Sequence, residues 1–210
     1  MYGPDKQPVS QRQAVAALGA CFLLAGCALA SRENAFIGYS ETTGKTVILD
    51  TEYGQIPIRL LTSAAPEISA MVLTVAGKNV CLDCRFYRNE AVPKAGDGPP
   101  YGLLQGSLAA LPAVPPQENR IVARRGHVCM IPETKEFFIA AKDHTDWGAS
   151  HSVWGEVQDM AAVTTILNQP FHQITHPQYG TVMRMLDTEV PFRISLKGAK
   201  SSDQYVLVDA

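Results

Sequence analysis

The chain has little of what announces most kinds of chemistry. Its 18 lysines and arginines nearly balance 20 aspartates and glutamates, for a formal net charge of −2. Such a surface has no strong field to gather nucleic acid or acidic lipid. The five histidines and five cysteines are scattered rather than set at zinc-ligand intervals. His127, Asp143, His144, Asp146 and His151 likewise fit no ligand spacing and read as solvated loop residues. There is no glycine-rich phosphate cradle, no nucleophile elbow with a Ser-His-Asp order, and no basic stripe interleaved with aromatics. No repeat of fixed period and no Asn-x-Ser/Thr acceptor is present either. These absences set aside nucleotide-dependent, triad-hydrolase and nucleic-acid-binding functions, and imply neither cofactor nor metal.

What is present begins with one apolar run. Ala14 to Ala30 (AVAALGACFLLAGCALA) carries no charge, with Lys6 and Arg12 before it and Ser31-Arg32-Glu33-Asn34 after it. Its length lies at the lower limit of a bilayer-spanning helix, about 17–25 residues. Three readings stay open. A single-pass anchor with the domain across the membrane follows from the positive-inside bias, and is preferred. A cleaved signal peptide fits Ala28-Leu29-Ala30 before Ser31. A lipoprotein signal fits Leu24-Ala25-Gly26-Cys27. Each implies export of the domain, into the secretory pathway or another exported compartment. The expected organisation is a polar N-terminus (1–13), an anchor or signal (14–30), a polar linker (31–44), a folded domain (45–197) and a tail (198–210).

Strand signals open the domain. Thr46 to Asp50 and Gln55 to Leu61, joined by a Tyr53-Gly54 turn, predict a hairpin. A helix over 65–76 follows, capped by Thr62 or Ser63, with Pro66 in its first turn and Ile68, Met71, Val72 and Val75 on one face. Residues 90–120 read mostly as loop. Further strands are expected at Arg120–Ala123, His127–Ile131, Glu136–Ala141 and Ser152–Val157. A second helix runs over 159–168 from Asp159 as N-cap, and Thr181–Leu186 and Pro191–Leu196 form a closing pair. The pattern predicts a mainly β protein: a closed antiparallel barrel capped by two helices. Cys81-Leu82-Asp83-Cys84 could close a disulfide or form a redox pair. A thioredoxin-like site needs a strand-to-helix junction, whereas strand follows here, so structural or unpaired thiols are favoured.

The order of certain residues carries more. Phe86-Tyr87-Arg88, then Gln105-Gly106, then Glu136-Phe137-Phe138-Ile139, Trp147 and His151-Ser152-Val153-Trp154-Gly155 resemble the signature of the cyclophilins, the barrel-shaped peptidyl-prolyl cis-trans isomerases. The resemblance spans roughly 47–196. It implies a cyclophilin-like barrel that turns over X-Pro bonds in client polypeptides without a cofactor. By the same resemblance Arg88 is the catalytic arginine, Gln105 grips substrate backbone and orients it, Phe138 floors the proline pocket and His151 edges it. Leu103, Met130, Glu136 and Trp147 are expected to contact substrate. A one-residue gap aligns Trp147 with the family's Trp; without the gap it falls where a pocket Leu usually sits.

Several positions depart from the family pattern. Glu136 replaces a Gln and is expected to pair with Arg88, Gly102 replaces a Phe that packs on the proline ring, and Ile131-Pro132 replaces Ala-Asn. These changes keep two rivals in view, a non-catalytic binding module of the same fold and a structural subunit of a membrane complex.

Overall fold

The computed structural model describes residues 45–78, 81–93 and 99–198. The expected anchor, the linker and all but the first residue of the tail lie outside them. Among the described residues no helix is long and apolar enough to cross a membrane.

The expected hairpin forms from β1 (Thr46–Thr51) and β2 (Gly54–Leu60). Alternation sends Val47, Leu49, Ile56 and Ile58 inward, each fully buried. After α1 (Pro66–Lys78) come β3 (Arg85–Glu90), β4 (Leu103–Ser107), β5 (His127–Met130), β6 (Glu136–Ala140) and β7 (Ser152–Val157). The order ends with α2 (Ala161–Leu167), β8 (Phe171–Thr175) and β9 (Val182–Leu196). Every pairing is antiparallel. The sheet runs β1-β2-β7-β5-β6-β4-β3-β9 and closes through β9 on β1, giving an eight-stranded barrel with β8 attached outside.

Phe86, Phe137, Phe192 and Trp154 interlock inside the barrel, with neighbouring ring centroids 4.9 to 6.1 Å apart. The helices add Ile68, Val72 and Val75 from α1, and Val163 and Ile166 from α2, to the same core. Both faces of β4 to β7 are buried. Phe137 and Ile139 point inward, while Phe138 and Ala140 join Leu103, Cys129 and Val153 in a second cluster outside the barrel. That outer cluster positions the site.

Three expectations are corrected here. Residues 120–123 form no strand; Asn119 Oδ1 accepts the Ile121 N–H and Ala123 C=O accepts the His144 N–H, so loop partners satisfy this backbone. Thr181–Leu186 and Pro191–Leu196 do not pair with each other. They are the two ends of β9, which pairs with β8 at its start and with β1 at its end. Neither Thr62 nor Ser63 is seen capping α1. Glu118, some fifty residues on, accepts the N–H groups of Glu67 and Ile68 at 2.7 and 2.8 Å.

Cys81 and Cys84 form a disulfide in the turn before β3. Cys129 is a buried free thiol, its pKa raised by burial.

Candidate active site

A bulge sets the geometry. Along β3 the register advances from Phe86 to Arg88 while β4 advances only from Gly106 to Gln105, so Tyr87 is the extra residue. Strict alternation would send one of two adjacent residues into the core. The bulge instead lets both Tyr87 and Arg88 reach Gln105 on the outer face. Arg88 Nη1 donates to Gln105 Oε1 at 3.1 Å, and Gln105 Nε2 donates to Tyr87 Oη at 2.6 Å. Tyr87 Oη in turn donates to Glu136 Oε2 at 2.7 Å. Each amide end of Gln105 therefore has one fixed role. Burial, and then the Glu136 carboxylate, raise the Tyr87 pKa, so the phenol stays a donor.

The carboxylate beside Arg88 is not Glu136. Arg88 Nε donates to Glu90 Oε1 at 3.0 Å, with Arg88 15% and Glu90 0% exposed. Glu136 is taken up by Tyr87, because the bulge brings the phenol between them. The same Glu90 oxygen accepts the backbone N–H of Arg184 on β9 at 3.1 Å. The guanidinium also sits 5.5 Å from the centre of the Tyr101 ring.

These groups face a cavity of about 550 Å³. Tyr87, Arg88 and Gln105 form its polar side, and Tyr101, Leu103, Ile131 and Trp147 its apolar side. His176, Tyr179, Thr181, Met183 and Met185, from the β8–β9 hairpin, complete the wall. Of the residues expected from sequence, Arg88, Gln105, Leu103 and Trp147 meet there. Trp147 packs edge-on against Phe138 and also meets His151.

Phe138, His151, Met130 and Glu136 are not among the lining residues. Phe138 is 1% exposed, so the expected pocket floor is covered. It is enclosed edge-on by His144, Trp147 and His151. His151 lies against that cluster, half-buried, with Nδ1 2.8 Å from Ser150 Oγ and its pKa lowered by burial. Met130 points into the barrel core beside Val128, since alternation along β5 puts only Cys129 outside. Its expected substrate contact is corrected accordingly.

Tyr101 carries no assignment from sequence, and His144, read there as a solvated loop residue, is 2% exposed. Gly102 has φ +75°, a backbone that L side chains rarely adopt, and an added Cβ would lie 2.6 Å from Lys142 Cγ, so the lysine chain would have to move. The Gly102 carbonyl accepts the Ala141 N–H at 2.8 Å and meets His144 Nε2 at 3.2 Å. One residue earlier, Tyr101 puts an aromatic ring on the cavity, 6.1 Å from Trp147. His144 stacks on Trp147 at 3.9 Å, and burial lowers its pKa to about 4. Thr181–Leu186 reads as strand from sequence, but nothing there sets His176, Tyr179, Thr181, Met183 and Met185 against this cavity. Among the described residues no group of histidine, cysteine and carboxylate side chains is arranged to hold a metal.

The arrangement can do one thing well. It holds a permanent cation and a fixed amide at the mouth of an apolar cup, able to grip a peptide backbone and stabilise charge shifting within an amide.

No family model matches the sequence, and no curated protein matches it significantly. Solved structures do match. The chain is similar to a cyclophilin-type peptidyl-prolyl cis-trans isomerase from Cryptosporidium parvum, with a TM-score of 0.54 and 16% identity, covering 73% of this chain and 97% of that one. A structure of that isomerase in the presence of the dipeptide Ala-Pro gives a TM-score of 0.53 and 16% identity, over 72% and 98% of the two chains. The chain has the cyclophilin fold.

Proposed function

We propose that this protein is a peptidyl-prolyl cis-trans isomerase that acts without a cofactor on X-Pro bonds of client polypeptides. The observation that carries this reading is Arg88, bonded to Gln105, at the mouth of the apolar cavity lined by Leu103 and Trp147. Rotation about the peptide bond faces about 18–20 kcal/mol because resonance is lost in the twisted amide. Arg88 stabilises the redistributed charge, Gln105 grips the flanking backbone, and the apolar wall takes the proline ring. No bond is made or broken.

A binding module of the same fold is the second reading, and two observations favour it. Glu90 offsets the charge of Arg88, and Phe138 is covered. The uncharged run 14–30 adds a proposal about place, a single-pass membrane anchor. Fractionation of the full chain tests it, and intact protein wholly in the soluble fraction would end it.

The activity test needs variants that leave no buried carboxylate without its cation. Arg88→Gln with Glu90→Gln meets that need, with Glu90→Gln alone as its parent. Isomerisation of a Pro-containing peptide, followed by NMR exchange, is expected to slow by about 100-fold or more between these two, the usual scale for losing one preorganised donor. A wild-type chain that binds the peptide yet never exceeds the uncatalysed rate would decide for the binding module.

A further inference from the structure

Strand β9 divides its side chains between two cavities. Thr181, Met183 and Met185 face the Arg88 cavity, whereas Val182 and Arg184 face a smaller one of about 330 Å³ with Phe171 and Pro100. Alternation at a period of two accounts for the division. The β9 side of the hairpin and its turn therefore front the candidate site.

That face is fixed in place. The register sets Met185 beside Arg88, and Glu90 accepts the Arg184 N–H at 3.1 Å. On the far side the Arg184 guanidinium lies 3.6 Å from the centre of the Phe171 ring. The turn is closed by His176 N–H to Thr181 C=O and Gly180 N–H to His176 C=O, at 2.8 and 2.9 Å. A wall held this way costs little ordering entropy when a ligand arrives.

The hairpin also leaves apolar groups uncovered. Among the described residues, four of the eight exposed large hydrophobics sit on it; Tyr179 lines the Arg88 cavity, whereas Phe171 and Val182 line the smaller one. Tyr179 is 70% exposed and stacks on His176 at 4.7 Å, so it edges the cavity without filling it. An exposed aromatic ring beside two methionines that line an open cavity suits a binding surface. Its chemistry is specific as well. Two thioethers, Met183 and Met185, line the cavity together with Tyr101 and Trp147, and sulfur meets aromatic rings favourably while adapting its shape.

We propose that the β8–β9 hairpin builds a second side-chain subsite beside Arg88, which takes a bulky apolar residue, aromatic above all, next to the proline of a client. This rests on the proline-binding reading above and adds the sequence class of the client. The proline ring enters between Leu103 and Trp147, and the neighbouring side chain lies against Met183, Met185 and Tyr179.

Equilibrium binding tests the subsite without requiring turnover. The probes are three labelled tetrapeptides, Ala-Ala-Pro-Ala, Ala-Phe-Pro-Ala and Ala-Ala-Pro-Phe, titrated with the full chain by fluorescence anisotropy. One of the Phe peptides is expected to bind roughly 10- to 100-fold tighter than the all-Ala peptide, the discrimination an apolar pocket provides. That ratio is expected to fall below about threefold in Met183→Ser with Tyr179→Ala, and to persist in Val182→Ser on the opposite face. If the double variant misfolds, the parent supplies a second readout. Its Met183 and Met185 methyl resonances should shift more with the preferred Phe peptide than with the all-Ala peptide. Proline peptides that bind with no Phe preference, or a preference unmoved in a folded double variant, would overturn the subsite alone. If no proline peptide binds, the subsite falls together with the proposed function.

Discussion

Arg88 and Glu90 stand two residues apart on β3 and are joined at 3.0 Å, with Glu90 fully buried and Arg88 nearly so. A spacing of two puts both side chains on one face, and with Glu90 fully buried little water reaches the carboxylate to weaken the pair. The cation proposed to act on substrate thus has a permanent partner. Through the Arg184 N–H, the same carboxylate also holds the strand that walls the cavity. One oxygen serves the chemistry and the wall together.

Removing Arg88 alone is expected to be costly for stability. Arg88→Ala strands the Glu90 carboxylate, and breaking a buried pair in this way costs about 3–5 kcal/mol. Urea denaturation of Arg88→Ala beside Arg88→Gln with Glu90→Gln checks this. The double variant should recover much of the loss, and equal losses in both would refute the argument.

Glu90→Gln is expected to raise isomerisation, because an amide oxygen can still accept from Arg88 and Arg184 while the opposing charge is gone. A gain of up to about tenfold in kcat/KM corresponds to ~1.4 kcal/mol in the barrier. Activity measured at matched folded fraction would show it. A fall would mean that Glu90 acts by positioning Arg88, and outweighs its own charge in doing so.

Acid should weaken the fold partly through His144. Burial lowers its pKa from 6.5 to about 4. Between these values the unfolded chain binds a proton that the folded chain refuses, so stability drops as pH falls from 6.5 towards 4 and is unaffected by this group above that range. The effect is worth up to about 3 kcal/mol. His127 and His151 are lowered in the same direction, also by burial, so the comparison must be between variants. Denaturation at pH 7, 5 and 4 should show a shallower acid slope in His144→Gln than in the parent.

Glu118→Ala should loosen α1. It removes the acceptor of two N–H groups in the first turn together with a negative charge at the positive end of the helix, a loss of about 1–2 kcal/mol. Glu118→Gln should lose less, since it keeps an acceptor. Hydrogen exchange at Glu67 and Ile68 would report the cap directly.

Two glycines should respond with opposite signs. A Cβ at Gly106 would lie 2.5 Å from the Arg85 carbonyl oxygen, on the strand that carries Gln105, so Gly106→Ala should cost about 1–3 kcal/mol and activity as well. Gly77, inside α1, has nothing within 4 Å of such an atom, and Gly77→Ala should gain about 0.5–1 kcal/mol. Thermal melts of the two variants settle both.

The barrel was legible in the residue order because its signals are local. Alternation in Thr46–Asp50 and Gln55–Leu61, helical spacing from Ile68 to Val75, and the double Phe all fix which face turns inward, and packing had only to agree. The closeness of Arg88 and Gln105 could be expected from resemblance, since the family pattern already places them on adjoining strands. The partner of Arg88 could not. Glu90 sits two residues on along the same strand, but that it and not Glu136 takes the guanidinium depended on a bulge at Tyr87, a property of two strands in register that neither strand encodes alone. The cap on α1 by Glu118 and the place of Tyr101 on the cavity were likewise hidden, because each joins residues through space. The hairpin wall was the least readable of all. Thr181–Leu186 reads as strand, but nothing in it says that Thr181, Met183 and Met185 line a cavity until the barrel closes and sets Met185 beside Arg88.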